Sequence, residues 1–163
     1  MSDYIELKNR GVLSVSGPDA RKFLQGLISN DVEKVSEESV IHAAFLTAQG
    51  KYLFDFMIAE VGGALLLDCE ADRLADFQKR LKLYKLRSDV TVEDVSANFT
   101  VLAVTGEDAS KAFGLGDGAG VAKAIDGGAV FTDPRHAGLG ARAIVGADRL
   151  ADFIAASGLT EGT

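Results

Sequence analysis

The chain has 163 residues, of which 47% are hydrophobic, so it carries enough apolar surface to build the core of one compact domain or of two small ones. Its formal net charge of -7 excludes a protein whose main task is to grip phosphate backbones, because that task needs a dominant basic face, and we expect no nucleic acid partner. The N-terminus lacks the pattern of a secretory leader and no apolar run approaches the ~18 residues of a membrane span, which predicts no membrane partner and a cytoplasmic or matrix-like location.

The first predicted element is a short apolar strand that leads through a tight turn into a helix. The strand covers residues 12–15, Gly17 permits the turn, and Pro18 suits the first position of a helix, where a missing N–H costs nothing. Asp19 then lies at the positive end of the helix dipole. Apolar residues at helical spacing extend this predicted helix over 20–28.

Three strands and a second helix follow. Strands are predicted over residues 39–46, 51–59 and 64–69, with turns at 48–50 and 61–63 between them. The spacing of apolar residues then predicts a helix from about Asp72, whose side chain is placed to cap it. Strands are also predicted over 89–95, 100–104, 129–132 and 140–145.

Two stretches of the sequence are repeated in the same order. Residues 12–22 and 101–111 share the pattern V-L-x-V-[ST]-G-x-D-A-x-K, and residues 71–77 recur without change at 147–153. The repeat predicts an α+β protein of two lobes, 1–95 and 96–163, each an antiparallel sheet with helices packed on one face. A turn that occurs in both lobes belongs to the folding unit, so we interpret the Gly17 turn as architecture and not as a phosphate cradle.

The stretch 114–119 matches the glycine pattern G-x-G-x-x-A of dinucleotide-binding sites. It follows a predicted helix, however, whereas that pattern must follow a strand to place a pyrophosphate on a helix N-terminus. We therefore interpret it as a flexible loop.

Asp55 is a carboxylate inside a strand that is apolar on both faces. It shares one face with Leu53 and Met57. Because a buried carboxylate is costly unless it is paired, Asp55 is either satisfied by a neighbouring group or is a proton-handling or ligand-orienting carboxylate at the mouth of a pocket. His42, on the preceding strand, is either a satisfied partner or a residue of the pocket.

The remaining chemically active side chains indicate no further site. The basic residues of the second helix are predicted to form a solvated outer face. Cys69 lies between Asp68 and Glu70, which disfavour its thiolate, and is predicted to be structural. The two histidines make no metal-ligand spacing with it, so we expect no metal site.

Several motifs together resemble the YgfZ-type folate-binding proteins, relatives of the glycine-cleavage T-protein. In chain order they are Gly17-Pro-Asp-Ala20 with Phe23-Leu24-Gln25, Asn30-Asp31, Gln49-Gly50-Lys51 before a strand that bears an Asp, Asp133-Pro-Arg135, and Leu139-Gly-Ala-Arg142. The resemblance implies part of a ring of lobes around a central channel that holds tetrahydrofolate, and a role in assembling or maintaining iron–sulfur clusters in other enzymes.

The resemblance also implies a set of site residues. T-protein relatives carry an acidic pair whose second member, near the reactive folate nitrogen, falls at Asp55, while Phe54 replaces the first member and His42 replaces a tyrosine of the pocket. We expect Asp55 at the catalytic position, and His42, Asp55, Met57 and Asn30 in contact with the folate. For Asn30 the alternative is a local hydrogen bond at the helix exit.

One motif of the family does not occur in these 163 residues. It is a Lys-Gly-Cys-aromatic-x-Gly-Gln-Glu stretch with a reactive cysteine, which Cys69 does not match. The chain therefore resembles the front portion of a family member, without the C-terminal lobe.

Three functions remain open from the sequence. The first is a tetrahydrofolate-binding accessory protein that serves iron–sulfur client proteins or assembly factors. The second is a folate-dependent aminomethyltransferase, a transferase that moves a one-carbon unit to tetrahydrofolate, although Phe54 in place of the paired acid counts against it. The third is a duplicated α+β interaction module without a ligand.

Overall fold

Two predominantly antiparallel sheets form the core of the fold, which confirms the predicted α+β class. The computed structural model describes residues 3–46, 49–106, 113–116 and 118–162. The strands are β1 (Asp3–Glu6), β2 (Arg10–Ser16), β3 (Ile41–Leu46), β4 (Tyr52–Val61), β5 (Ala64–Glu70), β6 (Thr91–Asp94), β7 (Phe99–Thr105), β8 (Ala122–Ile125), β9 (Gly128–Thr132), β10 (Ala141–Gly146) and β11 (Thr160–Glu161). The α-helices are α1 (Ala20–Gln25), α2 (Leu74–Lys85) and α3 (Leu150–Ser157).

The two sheets lie face to face, with helices on their outer sides. The first sheet has the strand order β3-β4-β5-β2-β6 and the second the order β11-β1-β7-β10-β9-β8. Helices α1 and α2 pack on the outer face of the first sheet, and α3 packs on the outer face of the second. Each sheet therefore has its helices on one face, as the sequence predicts.

The strands of the first sheet are apolar on both faces because each face belongs to a different core. In β5, Leu65 and Leu67 pack under α1 and α2, whereas Leu66 between them packs against the second sheet. We call the layer between the sheets the central core; it consists of Val12, Val40, Met57, Ala59, Leu66, Val101, Ala122, Phe131 and Ile144. Any polar side chain on this inner face must be satisfied within it or reach its edge.

The internal repeat of the sequence is a repeat of structure. Strands β2 and β7 occupy equivalent positions, and each is followed by a glycine with positive φ, +108° at Gly17 and +124° at Gly106. Each pairs antiparallel with the strand, β5 or β10, that precedes a copy of the second repeated stretch. In both copies Ala-Asp-Arg forms a 3₁₀ turn and the α-helix starts at the following leucine.

The sheets do not divide the chain strictly at residue 95. Strand β1, which sequence patterning does not reveal, pairs with β7 and β11 in the second sheet. It lies where β6 lies in the first sheet, because both run antiparallel to the repeated strand. The division into 1–95 and 96–163 stays a prediction, with residues 3–6 added to the second sheet.

Two details of the helices differ from expectation. Helix α1 ends at Gln25 and not near Ile28, because Ile28 forms a bridge with Phe45 at the edge of the first sheet. Asp72 and Asp148 do not cap helices, since they lie within the 3₁₀ turns and the residues before the helices are Arg73 and Arg149. The tertiary pairing of a strand edge thus overrides helical periodicity.

The Gly17 turn joins the start of α1 to the approach of β6. Asp19 N–H donates to the Asp89 carbonyl at 3.1 Å, and the Asp19 carboxylate accepts from the Asp89 N–H at 2.7 Å. Asp19 lies at the start of the helix as predicted, but its carboxylate binds this neighbouring segment and makes no cap bond to the helix. The turn is architecture, in agreement with its repetition.

Candidate functional site

Asp55 and His42 form a polar pair on neighbouring strands. Strands β3 and β4 pair with His42 opposite Met57 and Ala44 opposite Asp55, so the two side chains are diagonal neighbours on one face. His42 Nε2 lies 3.0 Å from Asp55 Oδ2. With the proton on Nε2, the imidazole donates this hydrogen bond to the carboxylate. The structure thus brings together two residues that the sequence left with open roles.

The pair lies at the accessible edge of the inner face. Its side chains are 34% and 36% exposed for His42 and Asp55, although Met57, on the same face, is buried in the central core. Asp55 is therefore only half-buried, because the central core begins with Met57, two residues further along β4. A partly exposed hydrogen-bonded pair can exchange partners with a ligand at little desolvation cost.

Asn30 supports the strand that carries His42. Its Nδ2 donates to the His42 carbonyl at 3.0 Å, and its Oδ1 accepts from the Asp31 N–H at 2.7 Å. Beside it, Ser29 N–H donates to the Ala44 carbonyl and Ser29 Oγ accepts from the Ala44 N–H. These bonds satisfy the exposed edge of β3 and fix its position. Asn30 is thereby a positioning residue behind His42.

Met57 lies beneath the pair. It is only 2% exposed and packs in the central core. Three of the four residues predicted for the site lie on β3 and β4 at different depths, and Asn30 lies beside the edge of β3. We expect Met57 to form an apolar floor for a ligand and not a direct polar contact.

A buried network of arginines and aspartates crosses from one sheet to the other. Asp68 on β5 is completely buried; its Oδ1 accepts from Arg10 Nε at 2.7 Å and its Oδ2 from Arg142 Nη1 at 3.3 Å. Arg10 also donates through Nη2 to the Asp68 carbonyl at 2.8 Å. Arg10 belongs to the first sheet and Arg142 to the second, so one carboxylate joins the two lobes.

Asp133 continues the network at the end of β9. It accepts from Arg135 through Nε at 2.9 Å and Nη2 at 2.6 Å, and Arg142 Nε lies 3.7 Å away. Burial by itself would raise the pKa of Asp133, but the hydrogen bonds and the charge of Arg135 outweigh it and lower that pKa. The pKa of Arg142 is also lowered, because its burial outweighs the opposing effect of the Asp68 charge. For Asp133 the hydrogen-bonded partner decides the direction of the shift, and for Arg142 burial decides it.

Arg135 connects this network with the His42–Asp55 pair. Its hydrogen bond to Asp133 raises its pKa against the effect of burial, and the negative charges of Asp133, Asp55 and Asp68 add to the rise. Its side chain remains 41% exposed. The guanidinium, held by the Asp133 carboxylate, is thus a cation whose electrostatic field extends to Asp55.

The sequence motifs included part of this network. Asp133, Arg135 and Arg142 carried the family resemblance without a role, while Asp68 and Arg10 were not considered as partners. Asp68 had a usable signal, since it interrupts the apolar run of β5 in the same way as Asp55 interrupts β4. The partners of both carboxylates come from other elements, which no spacing along the chain reveals.

The basic residues of α2 are mostly solvated, as predicted. Arg73, at the start of the helix, is an exception to this solvation. Its Nη1 donates to the Leu53 carbonyl at 2.6 Å, and its guanidinium lies 4.3 Å from the centre of the Phe54 ring. Phe54 itself is 3% exposed and stacks on Phe77 at 5.0 Å. The position that carries the first acid in T-protein relatives is thus part of an aromatic core here.

Cys69 is structural. Its side chain is buried on the face of β5 that packs under the helices. Burial raises the pKa of the Cys69 thiol to about 12, and the charge of Asp68 adds to the rise. The thiolate that nucleophilic or redox chemistry requires is therefore disfavoured.

We expect this thiol to make the folded state sensitive to alkali. Its pKa is above the unfolded value of 9.0, so its contribution to stability is complete below pH 9 and is lost as the pH rises towards 12. Each pH unit in this window costs about 1.4 kcal/mol. Urea unfolding at pH 8 and pH 10 should show a larger loss for the natural protein than for Cys69→Ala, and equal losses would contradict a buried thiol.

A separate groove of about 540 Å³ lies on the outer face of the second sheet. It is lined by the stacked rings of Phe113 and Phe153 and by Val130, and Gly114 of the glycine-rich stretch is at its rim. None of its lining residues belongs to the His42–Asp55 pair or to the arginine network. The described part of the glycine-rich stretch is a turn and loop before β8, while the helix predicted before it falls outside the described residues.

Among the described residues, no group of three or more His, Cys, Asp or Glu is arranged to hold a metal ion. No helix in the described ranges has the length and apolar character that crossing a membrane requires.

Comparison with known sequences identifies relatives. The model of the GCVT N-terminal domain matches residues 3–114. The chain is 34% identical over 152 residues to the iron-sulfur cluster assembly factor IBA57, mitochondrial, of Homo sapiens, covering 83% of the chain and 41% of that protein. It is 29% identical over 170 residues to the IBA57 homolog of Mycosarcoma maydis, covering 96% and 40%, and 41% identical over 90 residues to that of Neurospora crassa, covering 51% and 20%. The chain thus spans less than half of the length of these relatives.

Comparison with solved structures confirms the fold. The glycine cleavage system aminomethyltransferase T from Bartonella henselae superposes with a TM-score of 0.72 at 14% identity, over 93% of this chain and 44% of that one. A chain of the heterotetrameric sarcosine oxidase from Corynebacterium sp. U-96 gives 0.59 at 13% identity, over 99% and 88%. At these identities the likeness concerns the fold alone. The family match covers most of the chain and confirms the resemblance seen in its motifs: this chain belongs to the GCVT N-terminal domain family.

Proposed function

We propose that the protein binds a tetrahydrofolate and acts as an accessory factor in iron–sulfur cluster assembly or maintenance. The relatives named above are iron–sulfur cluster assembly factors, and the fold is that of an aminomethyltransferase T. The observation that carries the folate part is the partly exposed His42–Asp55 pair on the inner face of the first sheet. Its partners would be iron–sulfur client proteins or other assembly factors.

The donor set of this site fits a reduced folate. The pterin ring offers several N–H donors, and a partly exposed carboxylate such as Asp55 is the acceptor that binds them with charge-assisted hydrogen bonds. His42 holds one oxygen of Asp55, and Asn30 holds the backbone of His42. Tetrahydrofolate, when bound, supplies ring nitrogens that carry one-carbon units. The protein's own residues then orient it and exclude water from beneath it, which is the role we assign to Met57.

The names of the relatives also state a cellular compartment. The relatives are named mitochondrial proteins. For this chain we propose a cytoplasmic or matrix-like location.

The alternative activity is folate-dependent aminomethyl transfer. The fold of aminomethyltransferase T favours it, and Asp55 would then orient the folate and stabilise charge as its nitrogen attacks. Phe54 weighs against it, because it is buried in the aromatic core where the enzyme relatives carry an acid. Methylene-tetrahydrofolate formation from an aminomethyl-lipoyl carrier would establish turnover and place this activity first.

We expect Asp55→Asn to weaken tetrahydrofolate binding by about 10- to 100-fold. The reason is that a hydrogen bond to a charged acceptor contributes about 1.5–3 kcal/mol to the free energy of binding. The thermal unfolding midpoint should change little, because the partly exposed His42–Asp55 pair contributes at most about 1 kcal/mol to the stability of the fold. Isothermal titration calorimetry of the folded protein measures the first quantity and calorimetric melting the second.

Two further variants make this test specific. Asp72→Asn removes an exposed acid outside the site and should bind tetrahydrofolate normally. Asn30→Ala should weaken binding more than it lowers the melting temperature, since it releases the His42 carbonyl. If Asn30→Ala binds tetrahydrofolate normally and only melts at a lower temperature, Asn30 has a structural role alone. If the folded natural protein does not bind tetrahydrofolate, the folate proposal is wrong.

A further inference from the structure

The C-terminal end of α2 exposes apolar side chains to solvent. Leu83 is 66% exposed, Tyr84 50% and Leu86 87%. They are three of the five large hydrophobic residues that are exposed in the described part of the chain. The buried stripe of the same helix, which includes Phe77 and Leu81, already packs in the core under α2. The exposed set is here called the α2 end patch; Tyr84 also packs its ring against Phe45 at 5.9 Å, whereas Leu83 and Leu86 project mostly into solvent.

Leu86 is held in a backbone conformation that disfavours it. Its φ is +45° and its ψ -113°, and the Ser88 N–H donates to the Lys85 carbonyl at 2.8 Å, which makes Leu86 the first central residue of a type II′ turn. Glycine is the ordinary residue at that position. The equivalent helix α3 does end at a glycine, Gly158, with φ +69°. Leu86 is also almost fully solvated, so burial does not compensate for its strain.

Depressions flank the patch on both sides of the helix. One, of about 420 Å³, lies between α1 and the end of α2, where Leu27 and Tyr84 form its apolar part. The other, of about 330 Å³, lies beside Leu83. Two separate depressions can receive the anchoring side chains of a protein segment, whereas an amphipathic helix that binds a lipid surface presents a continuous apolar stripe. The stripe of α2 faces inward, so the geometry favours a protein partner.

The charge around the patch is positive although the chain as a whole carries -7. Five basic side chains surround it: Lys22, Lys79, Lys82, Lys85 and Arg87. None of them forms an ion pair within the described part of the chain. Asp19 lies in the same groove and keeps its negative charge, but the five basic side chains outnumber it. The complement of this surface is an acidic one.

We propose that the α2 end patch docks a partner protein through an acidic segment that carries leucine or aromatic anchors. Leu83 and Leu86 supply the apolar contact, and the surrounding lysines supply steering and register. The exposed, strained Leu86 is the residue that the fold by itself does not need. The patch lies on the helix side of the first sheet and the His42–Asp55 pair on the opposite side, so this inference is independent of folate binding.

The test uses the folded protein as bait for a random peptide display library. Selected peptides should be rich in acidic residues with leucine or an aromatic residue. A fluorescent copy of one should bind about tenfold or more weakly to Leu83→Ser, and its affinity for the natural protein should fall with added salt. Leu139→Ser, which changes another exposed leucine, is the matched control and should bind normally.

Leu86→Gly separates docking from stability. We expect this variant to melt at a higher temperature, because the turn is relieved of strain, and to bind the peptide more weakly. A higher melting temperature with unchanged binding would overturn the role of Leu86. Equal peptide selection by Leu83→Ser, or binding only to vesicles of phosphatidylcholine and phosphatidylglycerol, would overturn the proposal for a protein partner.

Discussion

Replacing Asp68 with asparagine should lower the free energy of unfolding by about 3–5 kcal/mol, the cost of removing one member of a buried ion network. Asp68 has no solvent exposure and accepts from both Arg10 and Arg142. Without its charge, two largely buried guanidinium groups face each other across the sheets with no common counter-ion. Urea unfolding followed by circular dichroism would measure the loss.

Two controls show whether the charge or the packing is responsible. Glu60→Gln breaks a more exposed pair with Arg21 and should cost less than about 1 kcal/mol. In the double variant Asp68→Asn with Arg142→Met, part of the stability should return, because one uncompensated cation is gone. A loss below about 1 kcal/mol for Asp68→Asn would mean that water reaches the network and that it does not join the lobes.

Replacing Gly17 with valine should lower the free energy of unfolding by more than about 2 kcal/mol. Gly17 has a φ of +108°, and a Cβ at this position would lie 2.6 Å from the Asp89 carbonyl oxygen. Two costs therefore add: a branched side chain in a conformation that glycine tolerates, and displacement of the segment that the turn binds through Asp19. The same unfolding measurement applies.

Gly62 offers a matched comparison for the second cost. Its φ is +59°, and a Cβ there would meet nothing within 4 Å. We expect Gly62→Ala to lose about 1 kcal/mol and Gly17→Ala to lose clearly more. If the two alanine variants lose the same amount, the contact with the Asp89 carbonyl is flexible and the turn is less important than its repetition indicates.

The stability network and the candidate site share a physical connection. Arg135 is clamped by Asp133 and is attracted by Asp55, so the charge that stabilises the contact between the sheets also reaches the ligand-facing pair. Two hydrogen bonds to Asp133 hold the Arg135 guanidinium, so its charge contributes to the electrostatic field of the site before a ligand arrives.

Local sequence patterns determined a large part of this protein. Alternating and doubly apolar runs identified β3, β4 and β5, and the two repeated stretches identified the equivalent strands β2 and β7 and the glycine that follows each. These features depend on residues that are close along the chain, so the period of the pattern is enough to recognise them. The carboxylate at Asp55 also stood out, because a charge in an apolar strand is unusual wherever the strand is placed.

Only the tertiary structure decided how those pieces meet. Strand β1 joins the second sheet across a long separation in sequence, and α1 ends early because Ile28 pairs with β3. The partners of Asp68 come from β2 and β10, and the pairing of Asp55 with His42 depends on the register of two strands. Exposure of Asp55 and burial of Phe54 are likewise set by what covers each face of the sheet. Register, sheet edges and covering layers arise from contacts between distant residues, and local periodicity contains no information about them.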